Sequence, residues 1–240
     1  MKANLLNNFA RYAVIAVLTL LLPAFLTVKN ATGQETRNPG NFNSINLALA
    51  ADVEIIKNSE CKVVLMAGAN DLDKIETRVN NNSLEIKSKN YTDYMGNKVK
   101  IKIYMPFVES ITVSGSGKIF SVSMFMSDEL NLKVTGSGQI NLGKSSAKNV
   151  KATITGSGNI ELKGDEKADY LKLVITGSGS CNSTGIKISS ADISITGSGS
   201  AKVDVVNDLN TYITGSGSVY YAGNPIVNAT STGSGKTKHM

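Results

Sequence analysis

Side chains able to do acid–base, nucleophilic or metal chemistry are sparse in this chain, and their spacing suits none of it well. There is one histidine, His239, in a polar C-terminal stretch. A Ser-His-Asp or Cys-His arrangement needs an imidazole within hydrogen-bond reach of its nucleophile, and a polar tail does not hold one in a core. A histidine-built metal site fails for the same reason. The two cysteines, Cys61 and Cys181, form no Cys-x-x-Cys pair. The repeated Gly-Ser-Gly-x-Ile is no phosphate loop, because it lacks the Lys-Ser/Thr ending and a following helix. It also lacks the Asp of the calcium-binding glycine nonapeptide. No metal and no cofactor are expected.

Carboxylates are the remaining chemistry. Glycoside hydrolysis needs two of them flanking one bond. Asp165, Glu166 and Asp169 fall in one segment, with Asp192, Asp204 and Asp208 further on. The first group alternates with Lys163 and Lys167 and reads as a solvated mixed-charge turn. Lyases on elongated β folds also want Arg or Lys beside the acids. Beyond residue 33 the arginines are Arg37 and Arg78, both ahead of the repeats described next. The chain therefore reads as nonenzymatic, with a carbohydrate-active enzyme using a carboxylate pair as the alternative. Tyr212 and Tyr220 are the candidate ligand contacts, because an outward aromatic ring can stack on a sugar or a partner.

The elements that must position these residues are marked by Gly-Ser-Gly, which occurs seven times, at 115–117, 136–138, 156–158, 177–179, 197–199, 215–217 and 233–235. The steps are 21, 20, 21, 20, 18 and 18 residues. A period near twenty means stacked units, since one unit cannot bury its apolar face alone. Two residues before the first six motifs stand Val113, Val134, Ile154, Ile175, Ile195 and Ile213, and two after them Ile119, Ile140, Ile160, Cys181, Ala201 and Val219, while the seventh has Ser231 and Thr237. Alternation on both sides means two short strands meeting at a glycine corner, with the apolar columns inward. A coil of this length holds three short strands. The fold class expected is all-β, a parallel and right-handed β-helix with strands ~4.8 Å apart. The middle serines are placed to pass hydrogen bonds along the stack. Cys181, in an inward column, is expected buried and reduced. A threonine column (Thr135, Thr155, Thr176, Thr196, Thr214, Thr232) faces outward.

Residues 1–33 read as a signal peptide. Lys2 and Arg11 precede an apolar run, Ala13–Leu22, and Ala31-Thr32-Gly33 offers small residues for cleavage. Residues 34–41 read as a polar leader. Residues 42–228 form the β-helical domain, with 42–108 lacking the glycine motif and 109–228 carrying it; 229–240 form a polar cap or tail. In 42–108, Val63–Met66, Leu84–Ile86 and Val99–Ile103 have strand character, with turns at 80–82 and 91–97. Removing residues 1–33 takes away Lys2, Arg11 and Lys29 and no acid, so a net charge of +6 becomes +3. No basic cluster is interleaved with aromatics, which argues against nucleic acid as a partner. No later segment is apolar enough to span a membrane as a helix.

These residues resemble the bacterial domain labelled putative auto-transporter adhesin, head GIN domain. The likeness runs from Phe42-Asn-Ser-Ile45, through Ile101-Lys-Ile-Tyr-Met-Pro106 and Ile111-Thr-Val-Ser-Gly-Ser-Gly117, along the serial Thr-Gly-Ser-Gly copies to Val227. The resemblance implies an exported β-helical protein of the periplasm, outer surface or extracellular space, with a glycan or a surface protein as its partner. It brings no catalytic residues with it. A structural envelope scaffold is a third reading, and the open ends of a β-helix admit a homo-oligomer.

Overall fold

The computed structural model describes residues 27–30, 33–90, 99–164 and 166–240. Most of the signal-peptide segment, the turn at 91–97 and Asp165 lie outside the described residues. The chain runs through β1 (Thr27–Asn30), β2 (Gln34–Arg37), β3 (Ser44–Ala48), β4 (Ala51–Lys57), β5 (Lys62–Met66), a short helix α1 (Ala69–Leu72), β6 (Ile75–Asn80), β7 (Ser83–Ser88) and β8 (Val99–Met105). The repeat region adds β9 (Ser110–Gly115), β10 (Lys118–Ser121), β11 (Phe125–Gly136), β12 (Gln139–Leu142), β13 (Ser145–Gly156), β14 (Asn159–Lys163), β15 (Ala168–Gly177), β16 (Ser180–Gly197), β17 (Ser200–Gly215), β18 (Ser218–Ala222), β19 (Ile226–Gly233) and β20 (Lys236–His239).

The repeats build a parallel β-solenoid. A strand ends on the first glycine of each motif and the next begins just past the second. Strands before the corner stack in parallel as β9, β11, β13, β15, β16, β17 and β19, with each first glycine directly over the last. Strands after the corner stack likewise from β10 to β20. A third, shorter face comes from the start of the long strands: Phe125–Ser127 lies on Ser145–Ala147, and the ladder skips Asp128 and Lys148 before resuming at Glu129 and Asn149. Three strand segments per coil thus follow from the repeat length. The shorter coil ending at Gly215 has no counterpart of residues 184–186 of the coil beneath it.

Both apolar columns are buried as the alternation requires, and they join one continuous core with the first third of the chain. Burying an Ile in this way is worth about 1.5–3 kcal/mol, so a few coils suffice to outweigh their ordering only when stacked.

The first third departs from simple winding. β3 pairs with β7 on one side and β9 on the other, and β4 lies between β8 and β10. The coil made by β3 and β4 is therefore first in sequence but second in space. Antiparallel strands cover that end of the stack: β6 on β7, β5 on β8, β2 on β5 and β1 on β2. They close edges that would otherwise be open to pairing. The turn expected at 80–82 is the two-residue loop of the β6–β7 hairpin, with Asn81 at φ 47° and Asn82 at φ 59°, the conformation such hairpins need.

The polar leader read at 34–41 is not a free strand of chain. It supplies β2, and within it Glu35 is buried. Arg37 binds Glu35 twice (2.9 and 3.2 Å) and donates to the carbonyls of Ile75 and Leu72 and to Thr77 Oγ1. Four residues assigned to the signal peptide form β1 against β2. The tail read at 229–240 continues the stack as a seventh coil: His239 lies in β20, its ring 5.2 Å from that of Tyr221 and edge-on to it. Inward positions there are polar or small, and Thr237 shares a 2.8 Å hydrogen bond with Thr211. Among the described residues no helix is long and apolar enough to cross a membrane.

Candidate functional site

The corner fixes where every outward side chain goes. The first glycine of each motif has φ between +100° and +119°, which glycine adopts without strain. A Cβ on the second glycine would strike the neighbouring coil; at Gly158 it would lie 2.3 Å from Val134 Cγ1 and 2.7 Å from the Gly138 carbonyl oxygen. Hydrogen bonds do pass along the corners through serine, but through its backbone. Ser137, Ser157, Ser178, Ser198 and Ser216 each donate N–H to the first-glycine carbonyl of the coil below at 2.9 Å, while their side chains are exposed.

With the glycines in register, the residues one, three and five places before each corner form three outward columns on one flat face. The first is the threonine column, exposed from Thr135 to Thr232. The second is Thr112, Lys133, Thr153, Val174, Ser194, Tyr212 and Thr230, and the third is Ser110, Asn131, Lys151, Lys172, Asp192, Asn210 and Asn228. In the later coils this third column is tied together. Tyr170 donates its hydroxyl to Asp192 Oδ2 at 2.5 Å, Asn210 donates to Asp192 Oδ1 at 2.8 Å, and Asn228 donates to Asn210 Oδ1 at 3.0 Å. The bonds from Tyr170 and then Asn210 hold the Asp192 carboxyl below its usual range. The same bond pushes the Tyr170 phenol up to about 12.

Among the described residues the candidate carboxylates do not assemble a hydrolytic pair with an acid partner. Asp192 and Asp208 lie diagonally on adjacent coils, each already engaged, Asp208 by Ser190 at 3.2 Å. A general acid needs a carboxyl held protonated, and Asp192 is biased the other way. Lys148 is held charged by Asp128, 2.7 Å away, with Asp169 adding to the same effect. Asp204 stands in register with Lys187 and Ala222 on the strand after the corner, away from Asp192. Glu166 is exposed.

Tyr212 and Tyr220 fall on different faces. Tyr212 is 56 % exposed and belongs to the flat face before the corner. Tyr220 is half-buried beyond the corner, in register between Lys202 and Lys238. One flat ligand cannot stack on both rings at once. Neither tyrosine has a neighbour in register that is aromatic. Tyr170 and Asn210, which organise this face, stand out in the sequence only once the coils are aligned on their glycines.

Cys181 is buried in the column with Ile160 and Ala201, and burial pushes its thiol up to about 12. Cys61 is half-buried at the other end of the molecule, its thiol 3.5 Å from the Phe42 carbonyl oxygen. It lines a cavity of about 260 Å³ with Phe42, Pro106 and the exposed Phe107. Both cysteines are free thiols.

The same architecture recurs in solved structures. A putative adhesin from Bacteroides fragilis superimposes with TM-score 0.81 at 19 % identity, covering 91 % of this chain and 99 % of its own. A putative adhesin from Parabacteroides merdae gives TM-score 0.69 at 20 % identity, over 89 % and 98 % of the two chains. A putative lipid binding protein from Parabacteroides distasonis gives 0.70 at 21 %, over 89 % and 99 %. At these identities the likeness is one of fold. Comparison with curated proteins yields no match. The sequence model of one family matches residues 41–225, which take in β3 to β18. The chain belongs to the family described as putative auto-transporter adhesin, head GIN domain.

Proposed function

We propose that this protein is an exported, nonenzymatic binding module of the cell envelope or surface, which holds a glycan or a surface protein against the outer columns of a rigid stack. One observation supports it above the others: outward polar columns run in register across the coils over a continuous core. Such a face offers many fixed hydrogen-bonding groups at strand spacing, with little ordering left to do on binding. The adhesin description of the family points the same way. Export rests on the sequence of residues 1–33 and on that family membership.

An enzyme would need an acid and a base or nucleophile around one bond. The carboxylate best placed on the flat face, Asp192, is bonded to Tyr170 and Asn210 in a way that favours its charged form. The test is a glycan array run with a reducing-end assay on the purified protein. Saturable binding without new reducing ends is the expected result. Released product would replace this reading by a carbohydrate-active enzyme. Silence in both, with a protein partner captured from the cell envelope, would replace it by a structural scaffold.

A further inference from the structure

The flat face changes character along its length. In the later coils its polar side chains bind one another, as Tyr170, Asp192, Asn210 and Asn228 do. Over the first three repeat coils the same columns carry Ser110, Thr112, Asn131, Lys133, Lys151 and Thr153, and these six line an open depression of about 280 Å³. Among the described residues, none of their side chains takes part in a hydrogen bond or ion pair. The strand register explains the arrangement: Ser110 lies on Asn131 and Asn131 on Lys151, while Thr112 lies on Lys133 and Lys133 on Thr153. Lys133 and Lys151 are thus diagonal neighbours on adjacent strands, about 7–8 Å apart at the backbone, with hydroxyls and a carboxamide around them.

The depression contains no carboxylate. The acids in adjoining register are engaged elsewhere: Glu109 accepts from Asn43 at 2.6 Å and Glu129 from Asn149 at 3.1 Å. Two unpaired ammonium groups beside each other repel, and a ligand carrying negative charge relieves that repulsion. Three hydroxyls and an amide suit a ligand that is itself rich in hydroxyls. A nucleic acid would call for a longer basic track with aromatic platforms, and no aromatic ring lines this depression.

We propose that this depression is a binding site for an acidic saccharide, a chain of uronate-type sugars whose carboxylates sit on Lys133 and Lys151 and whose hydroxyls meet Ser110, Thr112, Asn131 and Thr153. The proposal rests on the binding-module reading above and gives it a ligand class and a place. Its volume lies just under the roughly 300–1,000 Å³ of small-molecule sites, so it takes a short stretch of the chain rather than a large ligand.

The test uses oligogalacturonate and a neutral galactose oligomer of equal length as probes in titration calorimetry. The proteins are the wild type, the K133Q/K151Q variant, and K187Q/K202Q, which loses the same charge outside the depression. All substituted residues are exposed, and a thermal melt checks folding. We expect oligogalacturonate to bind the wild type and K187Q/K202Q alike, and at least about tenfold more weakly to K133Q/K151Q. Binding should weaken as NaCl is raised. Equal loss in both variants, or none in K133Q/K151Q, would overturn the site. Binding of the neutral oligomer alone would overturn the acidic ligand and leave the adhesion reading standing. Failure of every glycan on the array would remove both.

Discussion

At the residue scale, glycine does the shaping and serine is close to neutral. The second glycine of each corner from Gly138 onward is pressed between a β-branched side chain and a backbone carbonyl of the coil below, as at Gly158. Gly158→Ala should therefore cost about 2 kcal/mol or more, since the obstructing carbonyl cannot step aside. Ser157→Ala, one residue away and exposed, should stay within about 0.5 kcal/mol. Urea denaturation of the two variants measures both. Cysteine supplies a second residue-scale outcome. With its thiol at about 12 and fully buried, Cys181 has almost no thiolate at neutral pH, so iodoacetamide should label Cys61 first. Labelling of Cys181 should wait for unfolding, as mass spectrometry of the native and denatured protein would report. The inward place of Cys181 was legible in the sequence because its column is fixed by the spacing from glycine. Whether Tyr212 and Tyr220 share a face was not legible, because the corner between them turns the chain through an angle that glycine alone does not encode.

At the scale of elements, the strands before the corner are joined by side chains as well as by backbone. Asp192 is held ionised by Tyr170 and Asn210. Its folded pKa lies below the unfolded value, so the stability it adds is present above pH ~4 and is lost as pH falls through the folded value. The group is half-buried, and the contribution should stay under about 1 kcal/mol. Asp192→Asn should lower stability above pH 5 by up to that amount, leave it nearly unchanged below the folded pKa, and so flatten that part of the acid limb, as denaturation at several pH values would measure. The join of β2 to α1 and β6 is a stronger case. Arg37→Ala would leave Glu35, 4 % exposed, without its partner and should cost about 3–5 kcal/mol. Pairing it with Glu35→Gln should recover much of that loss. This network was hidden in the sequence: Gln-Glu-Thr-Arg is polar at every position, and its burial comes from β5 and β6, which lie far along the chain.

At the scale of the whole molecule, antiparallel strands cover one end of the solenoid, and at the other, among the described residues, β19 and β20 are each paired on one side only. Seven evenly spaced corners made the parallel stack legible in advance, since only stacking buries both apolar columns. The order of the first coils was not legible, because β3, β4, β7 and β8 carry no glycine register, and β3 and β4 end up between coils that follow them in sequence. Hydrogen exchange should reflect this: amides of β3 and β4 should be among the slowest, and those of β19 and β20, whose inward side chains are uncovered, among the fastest. On the function proposed above such a stack is a rigid display surface, and the central test is the fate of what it binds. A saccharide taken from the glycan array should be incubated with the protein to saturation and then analysed by mass spectrometry. The account predicts saturable binding with the saccharide recovered intact. Shortened or unsaturated products, lost again in Asp192→Asn, would contradict it.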